Sequence, residues 1–104
     1  MNISIKLCEH IRERIIPQYV NFDKAHRIDH VEKVIEESMK LALHYEVNSA
    51  MVYTIAAYHD LGLCEGREFH HIVSGKILFA DETLWQWFTD DQMLQMKEAI
   101  EDHR

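Results

Sequence analysis

The chain has 104 residues, of which 47% are hydrophobic and 28% are charged, a composition typical of one ordinary globular domain. Its 18 acidic residues outnumber its 11 basic ones and give a formal charge of −7, which argues against nucleic acid as a partner. No apolar run approaches the roughly 20 residues of a membrane span, no secretion signal is recognisable, and the two cysteines form no CxxC pair. We therefore expect a cytoplasmic protein with no membrane partner.

Glycine and proline together account for only four residues, three Gly and one Pro, and strand-like alternation is almost absent. This pattern predicts an all-α fold, a compact bundle of about five helices. The first helix is expected from about Ser4 to Ile16 and should break near Pro17, which cannot continue an α-helix. Its apolar stripe consists of Ile3, Leu7, Ile11 and Ile15.

The second and third helices are predicted from their capping residues and apolar faces. The second should begin near Asp29, a suitable N-cap. The third can be capped by Asn48 or Ser49 and should end near Leu61-Gly62. The inward residues of the two helices are Val31, Val34, Ile35, Met39, Ala42, Val52, Ile55 and Ala56.

The second half of the chain begins with GLCEGRE, which is predicted to be a flexible loop. A fourth helix is expected over about Phe69 to Phe79. The segment ADETLWQWF predicts a short helical turn with its tryptophans in the core. Asp90 is then expected to cap a fifth helix, whose apolar stripe is Met93, Met96 and Ile100.

The last residues, MKEAIEDHR, run in a helical pattern without a glycine cap or a polar tail. We therefore expect residues 1–104 to form a single helical domain that lacks one or more C-terminal helices. The face that such a helix would cover should be apolar and exposed, which favours a homodimer.

Eight histidines are the unusual feature of the composition. Helical spacing directs four of them inward on four helices, namely His30, His59, His71 and His103. His70 follows a different direction, about 100° around the helix from His71, and is predicted to point elsewhere. Asp60 adjoins His59 after an apolar run, and burying such a pair is costly unless it is compensated. Nitrogen and oxygen ligands suit Mn, Fe, Ni, Zn or Mg, so a divalent metal site is predicted.

Four segments in order resemble the HD-domain superfamily of metal-dependent phosphohydrolases, over about residue 23 to the last residue. The four segments are AHRIDHVEKVIEES, IAAYHDLGL, REFHHIVSGKIL and EAIEDHR. The family is marked by a histidine on one helix, a His-Asp doublet on the next, and an aspartate far downstream. His30, His59 and Asp60 match the first three ligands, and His59 follows His30 at a spacing of 29 residues (59 − 30). The downstream aspartate has no counterpart in this chain.

The resemblance implies an HD-type fold and hydrolysis of a phosphorylated small molecule, with nucleotides as the leading class. It also implies a divalent ion held by His30, His59 and Asp60, with His71 and His103 as candidates for a second ion or for phosphate contacts. Asp60 and Arg67 are the predicted catalytic residues, and Arg67 and Arg27 the predicted substrate contacts, since guanidinium groups match phosphate oxygens. The alternative is a non-catalytic HD-like module for signalling or dimerisation, which the missing aspartate leaves open.

Overall fold

The computed structural model describes residues 3–21, 28–42, 48–66 and 68–102, and these ranges contain five α-helices and no strand. The helices are α1 (Ile5–His10), α2 (Ile28–Ala42), α3 (Ser49–Tyr58), α4 (His70–Ala80) and α5 (Asp90–Glu101). The predicted all-α fold with about five helices is confirmed. Among the described residues, no helix has both the length and the apolar character that crossing a membrane requires. The chain divides into two compact units, Met1–Ala57 and Tyr58–Arg104.

The first unit opens with a helix that changes type along its length. The Ser4 hydroxyl accepts a hydrogen bond from the Leu7 amide and caps α1. A π-helical turn (Ile11–Ile15) and a 3₁₀ turn (Ile16–Asn21) follow without interruption. Pro17 has no N–H for an α-helical bond, and the π turn ends the α-helical ladder before that residue. The chain therefore stays helical at Pro17, where a break was expected.

Two side chains hold the ends of α3. The Asn48 side-chain oxygen accepts from the Met51 amide at 3.2 Å, which confirms Asn48 as the N-cap. At the other end, the Tyr19 hydroxyl donates to the Ala57 carbonyl at 2.6 Å. Carbonyls in the last turn of a helix have no partner within the helix, so Tyr19 satisfies one of them. The core of this unit includes Leu7, Ile11, Tyr19 and Val31, all with 0% exposed surface.

The second unit is built around α4. This helix packs against α5 and against a 3₁₀ turn (Leu61–Glu65) in the segment predicted to be a flexible loop. α3 ends earlier than predicted, at Tyr58, so His59 and Asp60 lie just beyond it. The predicted stripe on α5 is confirmed, and the buried apolar residues of this unit include Leu78, Leu84, Met93, Met96 and Ile100.

The tryptophans do not occupy the core as predicted. Trp85 is 58% exposed and Trp87 is half-buried, whereas Leu84 and Phe88 are buried. The segment does form the predicted short helical turn, a 3₁₀ turn over Glu82–Gln86. Because adjacent side chains of a 3₁₀ turn are about 120° apart, Trp85 lies on a different side of the turn from the buried Leu84.

The N-terminus of α5 is capped by Thr89, not by Asp90 as predicted. The Thr89 hydroxyl accepts from the Gln92 amide at 3.2 Å, and the Gln92 side chain accepts from the Thr89 amide at 3.0 Å. This reciprocal pair is a capping box. Asp90 lies in the first turn, where a negative charge is still favourable near the positive end of the helix dipole.

Replacing Thr89 with Ala should lower the free energy of unfolding by about 1 kcal/mol, because it removes the acceptor of the capping box. Urea denaturation of the purified chain measures the change. Thr89→Ser is the matched control, since it keeps the hydroxyl and should retain most of the stability. Equal losses in the two variants would show that the capping bond is not the source of the effect.

Candidate metal centre

The Asp60 carboxylate lies between two imidazoles of the second unit. Asp60 is 5% exposed and His59 is 8% exposed. The His59 Nε2 atom is 3.0 Å from Asp60 Oδ2, and the His70 Nε2 atom is 3.4 Å from Asp60 Oδ1. Each carboxylate oxygen therefore faces one imidazole nitrogen, which offsets part of the cost of burying the charge.

The local backbone directs Asp60 toward these histidines. Asp60 occupies the N-cap position of the 3₁₀ turn that follows it, yet its side chain accepts no capping hydrogen bond from that turn. An aspartate at this position ordinarily bonds to backbone amides. Here both oxygens face imidazoles instead. The carboxylate is thus placed to interact with side chains.

The residue before His59 is also fixed. Tyr58 is fully buried, and its hydroxyl donates to Asp81 Oδ2 at 2.6 Å. Asp81 follows the last residue of α4, and its other oxygen accepts from the Thr83 amide at 3.1 Å. The Tyr58–Asp81 bond thus joins the residue before His59 to the C-terminal end of α4.

The opposite end of α4 lies directly against Gly62. A Cβ atom at Gly62 would overlap the His70 carbonyl oxygen and would lie 2.6 Å from the Ser74 nitrogen. The Gly62 amide donates to the Ser74 hydroxyl at 2.7 Å, and this bond is buried. Only a residue without a side chain allows so close an approach. The contact brings the first turn of α4, with its two histidines, beside Asp60.

Asp60, His70 and His71 can together hold a metal ion. Each residue offers one ligand atom, and the three ligand atoms lie within 4.8 Å of one another. The ring centroids of His70 and His71 are 3.8 Å apart. Metal–ligand bonds of about 2.0–2.2 Å place neighbouring ligand atoms roughly 3 to 4 Å apart. Small side-chain adjustments therefore suffice to bring the three groups onto one cation.

The prediction that His70 points away from the site is wrong. His70 is the first residue of α4 and follows Phe69, whose φ of −122° is not helical. Because the Gly62 contact places Asp60 beside this first turn, two consecutive imidazoles reach toward it despite their offset around the helix. The His70-His71 doublet at a predicted helix start was the signal in the sequence that could have indicated this arrangement.

The remaining predicted site residues are placed as follows. His59, Asp60 and His71 lie in the second unit with His70, as described above. His30 lies in the first turn of α2, in the first unit, and its role as a metal ligand stays a prediction. Three further predicted residues fall outside the described ranges: Arg27, Arg67 and His103.

A cleft of about 250 Å³ opens beside His71. Its walls are formed by Glu68, Phe69, His71, Ile72 and Glu101. Phe69 is 61% exposed and Ile72 is 45% exposed, so the cleft has an apolar rim that is accessible to solvent. The Glu101 carboxylate is paired with the Lys97 ammonium at 2.7 Å. A small molecule in this cleft can therefore reach a candidate metal ligand.

Comparisons with models of known protein families, with curated proteins and with solved structures give no match. The likeness to the HD-domain superfamily thus depends on the sequence motifs, and membership of that superfamily stays a prediction.

Replacing Ser74 with Ala should lower the free energy of unfolding by about 1–3 kcal/mol, because the buried Gly62 amide loses its acceptor. Chemical denaturation measures the loss. Thr54→Val is the matched control, since it removes another buried hydroxyl, which donates at 2.8 Å to the Ala50 carbonyl within α3. That carbonyl keeps its helical partner, so the control should lose less. Equal losses of unfolding free energy in Ser74→Ala and Thr54→Val would contradict the importance of the hydrogen bond between Gly62 and Ser74.

Proposed function

We propose that this chain is a metal-dependent phosphohydrolase that acts on a phosphorylated small molecule, with nucleotides as the leading class. The observation that carries the proposal is the buried Asp60 carboxylate. One of its oxygens lies within 4.8 Å of a ring nitrogen of His70 and of a ring nitrogen of His71. The resemblance of the His30 and His59-Asp60 motifs to the HD-domain superfamily supports the class of reaction.

The donor set of the cluster fits a borderline divalent ion. Two imidazole nitrogens and one carboxylate oxygen suit Mn, Fe, Ni or Zn better than Ca, which prefers oxygen ligands alone. Three protein ligands leave coordination positions for water and for a substrate oxygen, as catalytic sites require. His59, in contact with the second Asp60 oxygen, either orients the carboxylate or adds a fourth ligand.

A divalent ion in this site would lower the pKa of its bound water toward neutrality and would offset negative charge on the phosphoryl oxygens. The chain supplies the geometry for this chemistry. Asp60 provides an anionic ligand whose direction is set by His59, and His70 and His71 are fixed on the first turn of α4. Because the ion would itself lower the pKa of the bound water, none of the described side chains is needed as a general base for that water.

The cleft beside His71 supports an orientation for the substrate. Glu68, an exposed carboxylate in its wall, would repel a phosphate group unless a cation lay between, so the phosphate is placed at the metal. Phe69 and Ile72 offer apolar surface to the organic part of the molecule. Arg67 and Arg27 stay the predicted phosphate contacts.

Metal binding is tested by mass spectrometry of the gently purified chain. We expect about one equivalent of a transition metal in the native chain and a loss of at least tenfold in occupancy for Asp60→Asn, which keeps the shape but removes the charge. Asp90→Asn, an exposed aspartate of α5, is the matched control and should retain the metal. Retention of metal by Asp60→Asn would contradict the proposed centre.

The same measurement distinguishes among the candidate histidine ligands, those placed near Asp60 by the structure and those predicted from the sequence. His70→Gln and His71→Gln should each lose metal, whereas His10→Gln, a histidine of α1, should not. Loss of metal from His30→Gln would support the ligand set implied by the family resemblance. Circular dichroism of every variant establishes that the helices are intact.

Activity is tested with p-nitrophenyl phosphate, bis(p-nitrophenyl) phosphate and a panel of nucleoside monophosphates, each with added Mn²⁺, Ni²⁺, Zn²⁺ or Mg²⁺. Metal-dependent release of product should fall about 100-fold or more in Asp60→Asn. Absence of turnover with every metal and substrate, in a chain that binds metal, would favour the non-catalytic module instead.

A further inference from the structure

The first unit contains a cleft that shares no residue with the candidate metal centre. Its volume is about 420 Å³, within the range of about 300–1,000 Å³ that is usual for small-molecule sites. The lining residues are Arg12, Ile16, Glu32, Ile35, Glu36 and Tyr53. They come from the π-helical turn, the 3₁₀ turn that follows it, α2 and α3.

The floor of the cleft is largely apolar but carries one hydroxyl. Ile16 is 8% exposed, Tyr53 is 7% exposed and Ile35 is half-buried. Burial raises the pKa of the Tyr53 phenol, and the neighbouring Cys8 thiol adds to the rise. The phenol therefore stays protonated near neutral pH and can both donate and accept a hydrogen bond. Such a floor accepts an apolar body together with one polar group.

The walls carry charges of opposite sign. Arg12 contributes a guanidinium near the Tyr53 hydroxyl. Glu32 and Glu36 lie one turn apart on α2, where two like charges repel each other. Among the ion pairs of the described residues, none joins Arg12 to either glutamate. Glu36 contacts Lys40 at 3.4 Å, but both side chains are more than 60% exposed, at 65% and 63%, so that pair holds Glu36 only weakly.

From this arrangement we propose that the cleft binds a small zwitterion of the amino-acid type with an apolar side chain. Its anionic group would bind Arg12 and the Tyr53 hydroxyl, and its ammonium group would lie between Glu32 and Glu36. The apolar part would cover Ile16 and Ile35. A ligand with only a negative charge would not relieve the repulsion between Glu32 and Glu36. A ligand with only a positive charge would leave Arg12 without a counter-charge. The proposal does not depend on the phosphohydrolase activity.

Three probes that share one side chain test the proposal: L-phenylalanine, phenethylamine and 3-phenylpropionate. Ligand-observed NMR titration of the full chain should find the tightest binding for L-phenylalanine, because only this probe carries both charges. Arg12→Gln should weaken L-phenylalanine binding about two- to fivefold and leave phenethylamine unaffected. Glu32→Gln should weaken L-phenylalanine and phenethylamine by a similar factor and leave 3-phenylpropionate unaffected.

The controls are Arg14→Gln and Glu37→Gln, which make the same charge changes on neighbouring exposed residues that do not line the cleft. They should leave all three affinities unchanged. No saturable binding of L-phenylalanine, or equal binding of the three probes, would overturn the proposal. So would equal losses in the lining variants and their controls, since that result would indicate a general effect of surface charge. Thermal denaturation of each variant separates loss of binding from loss of fold.

Discussion

The structure of the second unit depends on how the Asp60 carboxylate is compensated. A carboxylate removed from water without partners carries a penalty of several kcal/mol, and Asp60 is only 5% exposed. His59 and His70 each face one of its oxygens. For these contacts to be hydrogen bonds, both imidazoles must carry a proton on Nε2. A metal ion would replace such protons, since ligand nitrogens must be free to bind it. Proton and metal thus compete for the same positions around Asp60.

This arrangement requires α4 to lie very close to the backbone at Gly62. Gly62 allows the approach because it has no side chain, and its amide is satisfied by the buried Ser74 hydroxyl. Gly75, the residue after Ser74 on α4, lies close to α5, where a Cβ atom would be 2.9 Å from the Glu101 side chain. Small residues on α4 therefore position it on both sides. His70 and His71 reach Asp60 because the helix that carries them is placed in this way.

Some of this could be predicted from the sequence, and the reasons for success and failure are physical. The buried stripe of α5 follows from helical periodicity alone. The burial of His59 likewise follows from its spacing after an apolar run. His70 was misplaced because periodicity describes a helix interior, whereas His70 begins α4 after a non-helical residue. The early end of α3 and the exposure of Trp85 arise from 3₁₀ turns, which rotate side chains differently from α-helices. The contact of Gly62 with Ser74 is set by tertiary packing, which no local pattern contains.

The residues around Asp60 are positioned by hydrogen bonds within the second unit. The Gly62–Ser74 bond holds the turn that carries Gly62 against α4, and the Tyr58–Asp81 bond joins the residue before His59 to the C-terminal end of α4. Preorganised ligands bind more tightly because less ordering accompanies binding. Stability offers little reason for such a cluster, since buried ionic groups can often be replaced by apolar ones without loss. The placement of the Asp60 carboxylate between two imidazoles therefore supports the proposal of a metal site.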